Sequence, residues 1–350
     1  MSVGPASALE VSPVGPPQVA SSSAIVGIAR LGEGSVLTEG VVIRSADSRV
    51  EVGTGSAVLD NSVVIGNPTI STQIGRRTVL GHRCVVVGAT VGDLCEVGNG
   101  SILMPGAVIG DRVFLGEGTL VPAGTTVPSD VVAVGRPSRI VRLASAGDLS
   151  RLEALRGGDL SLPPPTGIAV QGRQETHFMG QIYEYKGIWP TIAPSAILFP
   201  TAEITGDVVV GERSIIGAGV KIIGDSHGPV RIGSDVQILE NTVLHLLPDN
   251  DLVLHDRVIV GPGAMIHGCR IGAGSVVEPG AIVCDGSVVG AGSVVRAGAV
   301  VKQRSRFGDS AELDGFPAAK IGLITQPLPM PPWAFARSDL PVRGNGVQEP

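Results

Sequence analysis

Aromatic residues make up only 3% of the 350-residue chain, too few for the core of a typical β-sandwich. Cysteine is also scarce. Cys84, Cys95, Cys269 and Cys284 form no CxxC pair, so a disulfide framework is not expected and the four read as buried free thiols. No run of about 20 apolar residues occurs, which argues against a membrane span. The net charge is −6 at pH 7 with no long basic stretch, which argues against a nucleic-acid partner. The opening MSVGPASALEVSPVGPPQVASSS lacks a positive n-region and a continuous apolar h-region. It therefore reads as a loose tail over residues 1–24 of a cytoplasmic protein rather than as a signal peptide.

What the chain has instead is 50 glycines, 26 prolines and enough aliphatics to bring the apolar fraction to 43%. These residues keep a beat. From Val79 an aliphatic stands at every sixth position: Val85, Val91, Val97, Leu103, Ile109, Leu115, Val121 and Val127 follow. Ile25, Leu31, Leu37 and Ile43 keep the same step earlier. A period of six fits neither a helix nor a flat strand. One large aliphatic, then small residues, then a turn former, implies a short strand and a sharp corner. Three such units close a triangular turn, and turns stack with parallel pairing between rungs.

A second, longer repeat contains the first. Ile192, Leu198, Ile204, Val210, Ile216 and Ile222 open a new series, which resumes from Ile259 to Val301. A shift of 180 residues carries Val91 onto Ile271 and Asp60-Asn61 onto Glu240-Asn241. The expected organisation is a first coil over 25–143, a connector over 144–189, a second coil over 190–323 and an irregular tail over 324–350. Within the connector, Leu149, Leu152 and Leu155 stand at helical spacing. Ser145 or Asp148 can cap that helix, Gly157-Gly158 would stop it, and SLPPPTG follows as a linker. In the tail, Trp333 and Phe335 are expected to pin the chain to a coil.

The hexads resemble the left-handed parallel β-helix family, and it is this resemblance that implies the hand. Both copies further resemble the γ-class carbonic anhydrases. The second does so through GPVRIGSDVQILENTVLH and GPGAMIHGCRIGAGSVVEPG, the first through VLDNSVV and RRTVLGHRCVVVGATVGD. The likeness implies three histidines on one zinc, the first and third from one β-helix and the second from its neighbour. The second copy supplies His245 and His267 at the first and third positions and Pro262 at the second. The first copy supplies Ile65, His82 and Val87. The losses are complementary, so His82, His245 and His267 are expected to form one composite site. Three imidazoles with one open position suit catalytic zinc, which lowers the pKa of its water to about 7; iron or cobalt also suits imidazole.

An Arg-Gly-Asp-like run of the same family is divided between the copies, as Arg44-Ser45-Ala46 and Ile223-Gly224-Asp225. Arg44 and Asp225 are expected to meet across the interface. The glutamine that the family places before Asp-Asn is Leu59 in one copy and Leu239 in the other. Glu240, Asp249 and Asp251 read as solvated loop carboxylates. His227 is a substitute ligand within the second copy, His255 reads as a rung-surface residue, and nothing assigns a role to His177.

Three functions fit this sequence. The first is a metal-dependent hydratase turning carbon dioxide into bicarbonate. The second is an acyl-CoA-dependent acyltransferase or thioesterase, with His82 as a general base. The third is a structural or assembly protein with decayed sites. A small-molecule substrate is expected in the first two, and a homo-oligomer built through β-helix faces in all three.

Overall fold

A computed structural model describes residues 15–172, 180–225, 228–336 and 340. The chain forms two β-helical coils of parallel strands, two to four residues long for the most part, with three strands to each turn. Each coil is thus a triangular prism with three sheet faces. In the first coil, face I contains Val36–Leu37, Ala57–Val58, Val79–Leu80 and Glu96–Val97. Face II contains Val42–Ser45, Val63–Gly66, Val85–Val87 and Ile102–Leu103. Face III contains Val50–Val52, Thr72–Ile74 and Thr90–Val91.

The second coil repeats the plan at the expected shift. Face I′ holds Ile215–Ile216, Gln237–Ile238, Ile259–Val260 and Val276–Val277. Face II′ holds Lys221–Gly224, Val243–His245, Met265–His267 and Ile282–Val283. Face III′ holds Val230–Ile232, Leu252–Leu254 and Arg270–Ile271. The coils start earlier than the hexads suggest. Gln18–Val19, inside the expected tail, pairs with Val36–Leu37. Gln181–Tyr183, inside the expected connector, pairs with Glu203–Thr205.

Alternation within each short strand decides what is core. Val64, Val86, Leu244 and Ile266 point inward and are fully buried; their neighbours on either side point out. Each prism is filled by stacked aliphatics in this way, which accounts for a chain that needs so few aromatics.

The connector contains the expected helix, at Ala146–Leu155. The Ser145 hydroxyl accepts from the Asp148 amide while the Asp148 carboxylate accepts from the Ser145 amide, a full capping box. The Arg142 guanidinium beside Asp148 holds its carboxyl well below the usual carboxylate range. Gly157 and Gly158 end the helix with left-handed φ values of 76° and 83°. Beyond it, Ile168–Gln171 adds an antiparallel strand along Ile28–Leu31.

A third apolar cluster lies between the coils. It joins Val42, Val63, Ile65, Val85, Val87 and Ile102 of face II to Ile215, Leu239, Ile259 and Val276 on or beside face I′. The tail enters the same cluster with Trp333 and Phe335, 2% and 4% exposed. The Phe335 ring stacks on Phe199 at 5.1 Å, and its backbone N–H and C=O both bond the Gln237 amide. Asn67 Nδ2 donates to the Pro332 carbonyl at 2.8 Å. The pinning role expected of the two aromatics is thus filled at the junction of the coils.

One ion pair is sealed into this junction. Arg44 Nε lies 2.6 Å from Glu240 Oε1, with side-chain exposures of 7% and 1%. The guanidinium also donates to the Trp333 carbonyl at 2.5 Å and sits 4.1 Å from the centre of the Phe335 ring. Removing one member of a buried pair leaves the other charge desolvated and alone, which costs about 3–5 kcal/mol. Arg44→Ala should lower the unfolding free energy by roughly that amount in urea titrations. Arg44→Met combined with Glu240→Leu should recover most of it. Equal stability of Arg44→Ala and wild type would contradict this account of the junction.

Candidate metal centre

His245 and His267 stand at equivalent places on adjacent rungs of face II′, paired in Cα register. Because Leu244 and Ile266 fill the core, both imidazoles must project outward from the prism. Their ring centroids are 5.8 Å apart and the rings are nearly perpendicular, at 89°. Each ring has a carboxylate behind it. His245 Nε2 lies 3.8 Å from Asp225 Oδ2, and His267 Nδ1 lies 3.5 Å from Asp285 Oδ2. Asp285 is itself held, accepting from the Leu247 amide and from Asn250 Nδ2. Both imidazoles remain open to solvent, with side-chain exposures of 29% and 27%.

This is the pattern of a ligand pair. An imidazole with a carboxylate beside one nitrogen can offer the other nitrogen to a cation. Two imidazoles nevertheless fall short of the three protein donors of a catalytic zinc site. Among the described residues no group of three or more His, Cys, Asp or Glu side chains comes together to hold a metal. One chain provides a fitting but incomplete donor set.

The comparisons agree with the coil and with the resemblance. The family model described as the hexapeptide repeat of succinyl-transferase matches residues 71–105 and 267–297, once in each copy. A carbonic anhydrase of Geobacillus kaustophilus is 41% identical over 102 residues, covering 27% of this chain and 56% of that protein. The carnitine operon protein CaiE of Citrobacter koseri is 32% identical over 95 residues, covering 27% of this chain and 48% of its own length. The chain is a hexapeptide-repeat left-handed β-helix protein with γ-carbonic-anhydrase-like relatives. It spans about half the length of the curated relatives it matches. Among solved structures, a Bacillus cereus product described as a putative acetyltransferase is 36% identical with a TM-score of 0.41, covering 41% of this chain and 84% of its own.

The other expected site residues of this β-helix protein lie elsewhere. His82 occupies the corner between faces I and II, 48% exposed at its side chain, with Nδ1 3.3 Å from Asp60 Oδ2. Within the chain it does not join His245 and His267 in a cluster. Arg44 and Asp225 are not partners either. Arg44 lies on face II, in the junction, where Glu240 from the corner between faces I′ and II′ reaches it. Asp225 follows a face II′ strand and stands beside His245. Glu240, expected to be solvated, is fully buried. Leu239, at one of the two glutamine positions, is buried in the apolar junction. His255 is exposed. His177 and His227 lie outside the described residues.

Asp285 escaped the sequence reading. Its signal is present all the same: a carboxylate 18 residues after His267 falls one turn of the coil further on, next to the same edge. Three of the thiols are shut away from the centre by burial. Burial pushes Cys84 and Cys95 up to about 12 and raises Cys269 further; Cys284 is partly exposed. A thiol-directed reagent at pH 8 should therefore label Cys284 in the native protein and the other three only after unfolding. Mass spectrometry of labelled peptides would read this out, and rapid native labelling of Cys84 would contradict the packing.

Proposed function

We propose that this chain is a metal-dependent hydratase of the γ-carbonic-anhydrase type, converting carbon dioxide to bicarbonate. The observation that carries the reading is the pair His245 and His267, side by side on one face and each backed by a carboxylate. Zinc is the metal that three imidazoles favour, with iron or cobalt compatible. Bound there, it would supply a Lewis acid that makes water nucleophilic at neutral pH.

The chain's own residues do the positioning. Asp285, held by Leu247 and Asn250, stands 3.5 Å from His267 Nδ1, which leaves Nε2 as the nitrogen to face a metal. Asp225 stands 3.8 Å from Nε2 of His245 on the other side, which leaves Nδ1 as the candidate donor there. Val243 and Met265, two residues before each histidine on the same outward face, put apolar side chains beside the pair, suited to a small uncharged substrate. The third donor is a corner histidine from a neighbouring coil, the role for which His82 is the candidate in this sequence.

Metal-replete wild-type protein should contain near one zinc or iron per chain and hydrate carbon dioxide in a stopped-flow pH-indicator assay. Asp285→Asn should weaken metal binding by about 10- to 100-fold, the usual loss when an outer carboxylate is removed. Less than about 0.1 metal per chain after metal-replete expression would overturn the reading, since an unfilled centre has no Lewis acid. The succinyl-transferase origin of the matching repeat model favours acyl transfer as the second reading. A metal-independent thermal shift with acyl-CoA, together with no hydration activity, would select it.

A further inference from the structure

The 180-residue shift also pairs the segments that follow the two coils. Residues 326–335 of the tail correspond to Ala146–Leu155, the helix of the connector. Each segment lies against the corresponding face of its own coil. The helix end is tied to face I through Arg156, 2.5 Å from Glu96, and the tail is tied to face I′ through Gln237 and Phe335. The helix fills its place and buries Leu152 completely. The tail carries Pro327, Pro329, Pro331 and Pro332, and proline removes the donors and the space that a helix needs. It crosses face I′ as a strap without helix.

A strap fills less room than a helix. Between residues 324–330 and face I′ lies a cavity of 1030 Å³, at the upper end of the range for small-molecule sites. Its floor is made by the outward residues of five successive rungs, Ile197, Ile215, Gln237, Ile259 and Val276. Four steps between rungs, each about 4.8 Å, give a floor roughly 19 Å long. Leu328 and Met330 of the strap face it from above. Gln237 alone breaks the apolar run, and its amide is already taken by the Phe335 backbone. At the position of Val276 the first coil has Glu96, the anchor of the helix.

One cation at the rim of the cavity is unlike its counterpart. Arg257 stands at the corner between faces III′ and I′ and corresponds to Arg77. The backbone is left-handed at both, with φ of 60° and 52°. Arg77 is 7% exposed and fully engaged by the connector. It donates to the carbonyls of Ser161 and Arg156, each at 2.6 Å, and lies 3.6 Å from Asp159 Oδ2. The strap gives Arg257 no such reception. Among the described residues no carboxylate pairs with it, and its side chain is exposed. Neighbouring Asp235 is bound by Arg213 at 2.6 and 3.0 Å, and Asp256 is turned to the Ser234 amide.

We infer that the cavity under the strap binds an aliphatic carboxylate, with its chain laid along Ile215, Ile259 and Val276 and its head on Arg257. The first coil shows which chemistry that corner accepts, since Arg77 there takes two carbonyls and a carboxylate. The floor decides the rest of the ligand. A peptide laid on it would need partners for its backbone groups, and the one polar side chain of the floor is occupied. An alkyl chain has no such need and gains from leaving water. A carboxylate on a guanidinium makes the stronger, charge-assisted kind of hydrogen bond. This site is on a different face from His245 and His267 and does not depend on a metal there.

The test is isothermal titration calorimetry on the full chain, with decanoate below its micelle concentration, decanol and acetate as probes. Wild type should bind decanoate saturably. Decanol, which lacks the charge, and acetate, which lacks the chain, should each bind about tenfold more weakly or worse. Arg257→Gln should weaken decanoate by about tenfold and leave decanol unchanged. Val276→Glu, which puts a carboxylate in the floor, should abolish decanoate binding. Thermal melts of both variants check that they fold, and Arg257 is exposed, so its replacement leaves the coil intact. No saturable decanoate binding by wild type, equal affinity for decanol or acetate, or an Arg257→Gln variant that binds like wild type would each overturn the inference. So would binding confined to phosphatidylglycerol vesicles, which would give the cavity to a membrane lipid rather than a free acid.

Discussion

Everything in this molecule depends on strands of two to four residues stacked in strict register. When a strand holds only one or two outward positions, each outward residue of a rung has a fixed neighbour one turn above and one turn below. The in–out alternation then leaves no room for adjustment. A side chain one place along would enter the core, which aliphatics and a few buried thiols fill. The face of a β-helix is therefore both a structural sheet and an indexed array. His245 and His267 meet because 22 residues of chain, one turn including its excursion at Leu246–Asp251, return the strand to the same index.

Duplication doubles such an array and at once makes the two copies unequal. One face of the first coil becomes permanently covered by the second, and a covered surface is under the physical demands of a core. An imidazole there must find partners for both nitrogens or remain desolvated. Isoleucine and valine have no such need. A proline at the matching corner removes a backbone donor as well. Apolar residues at 65, 87 and 262 suit a dry junction, and histidine at 82, 245 and 267 suits positions that water reaches.

The sequence carried much of this in its periods. The hexads specify the coil, the 180-residue shift specifies two of them, and the leucines at 149, 152 and 155 mark the α-helix at Ala146–Leu155. The capping pair Ser145 and Asp148 is found as expected, although only Leu152 of the three leucines is fully buried. The boundaries were less legible. Val19 stands on the six-residue beat one step before Ile25, inside a stretch read as tail, whereas Ile182 lies off the step that Ile192 sets. The candidate site was legible residue by residue but not in its pairings. Arg44 and Asp225 are adjacent only if their faces are, and which face packs on which is set by the whole surface. The burial of Glu240 could not be read from a motif, because it depends on a guanidinium 196 residues away.

That buried pair does a job that the aliphatics around it cannot do. Rungs repeat, so the apolar faces of two coils fit nearly as well when one slides by a whole turn. A slide of this kind is the docking equivalent of a slipped strand register. The pairing along face I′ shows what Arg44 would then meet. One turn to one side of Glu240 stands Ala218, and one turn to the other side stands Pro262. Neither offers a side-chain acceptor. A slid junction would bury a guanidinium and a carboxylate apart from each other, several kilocalories per mole worse than the docked state. An all-aliphatic junction of equal area would have no such penalty. It is the charge, contributing little net stability itself, that selects one alignment of the coils. The tail then closes over that alignment through Trp333 and Phe335.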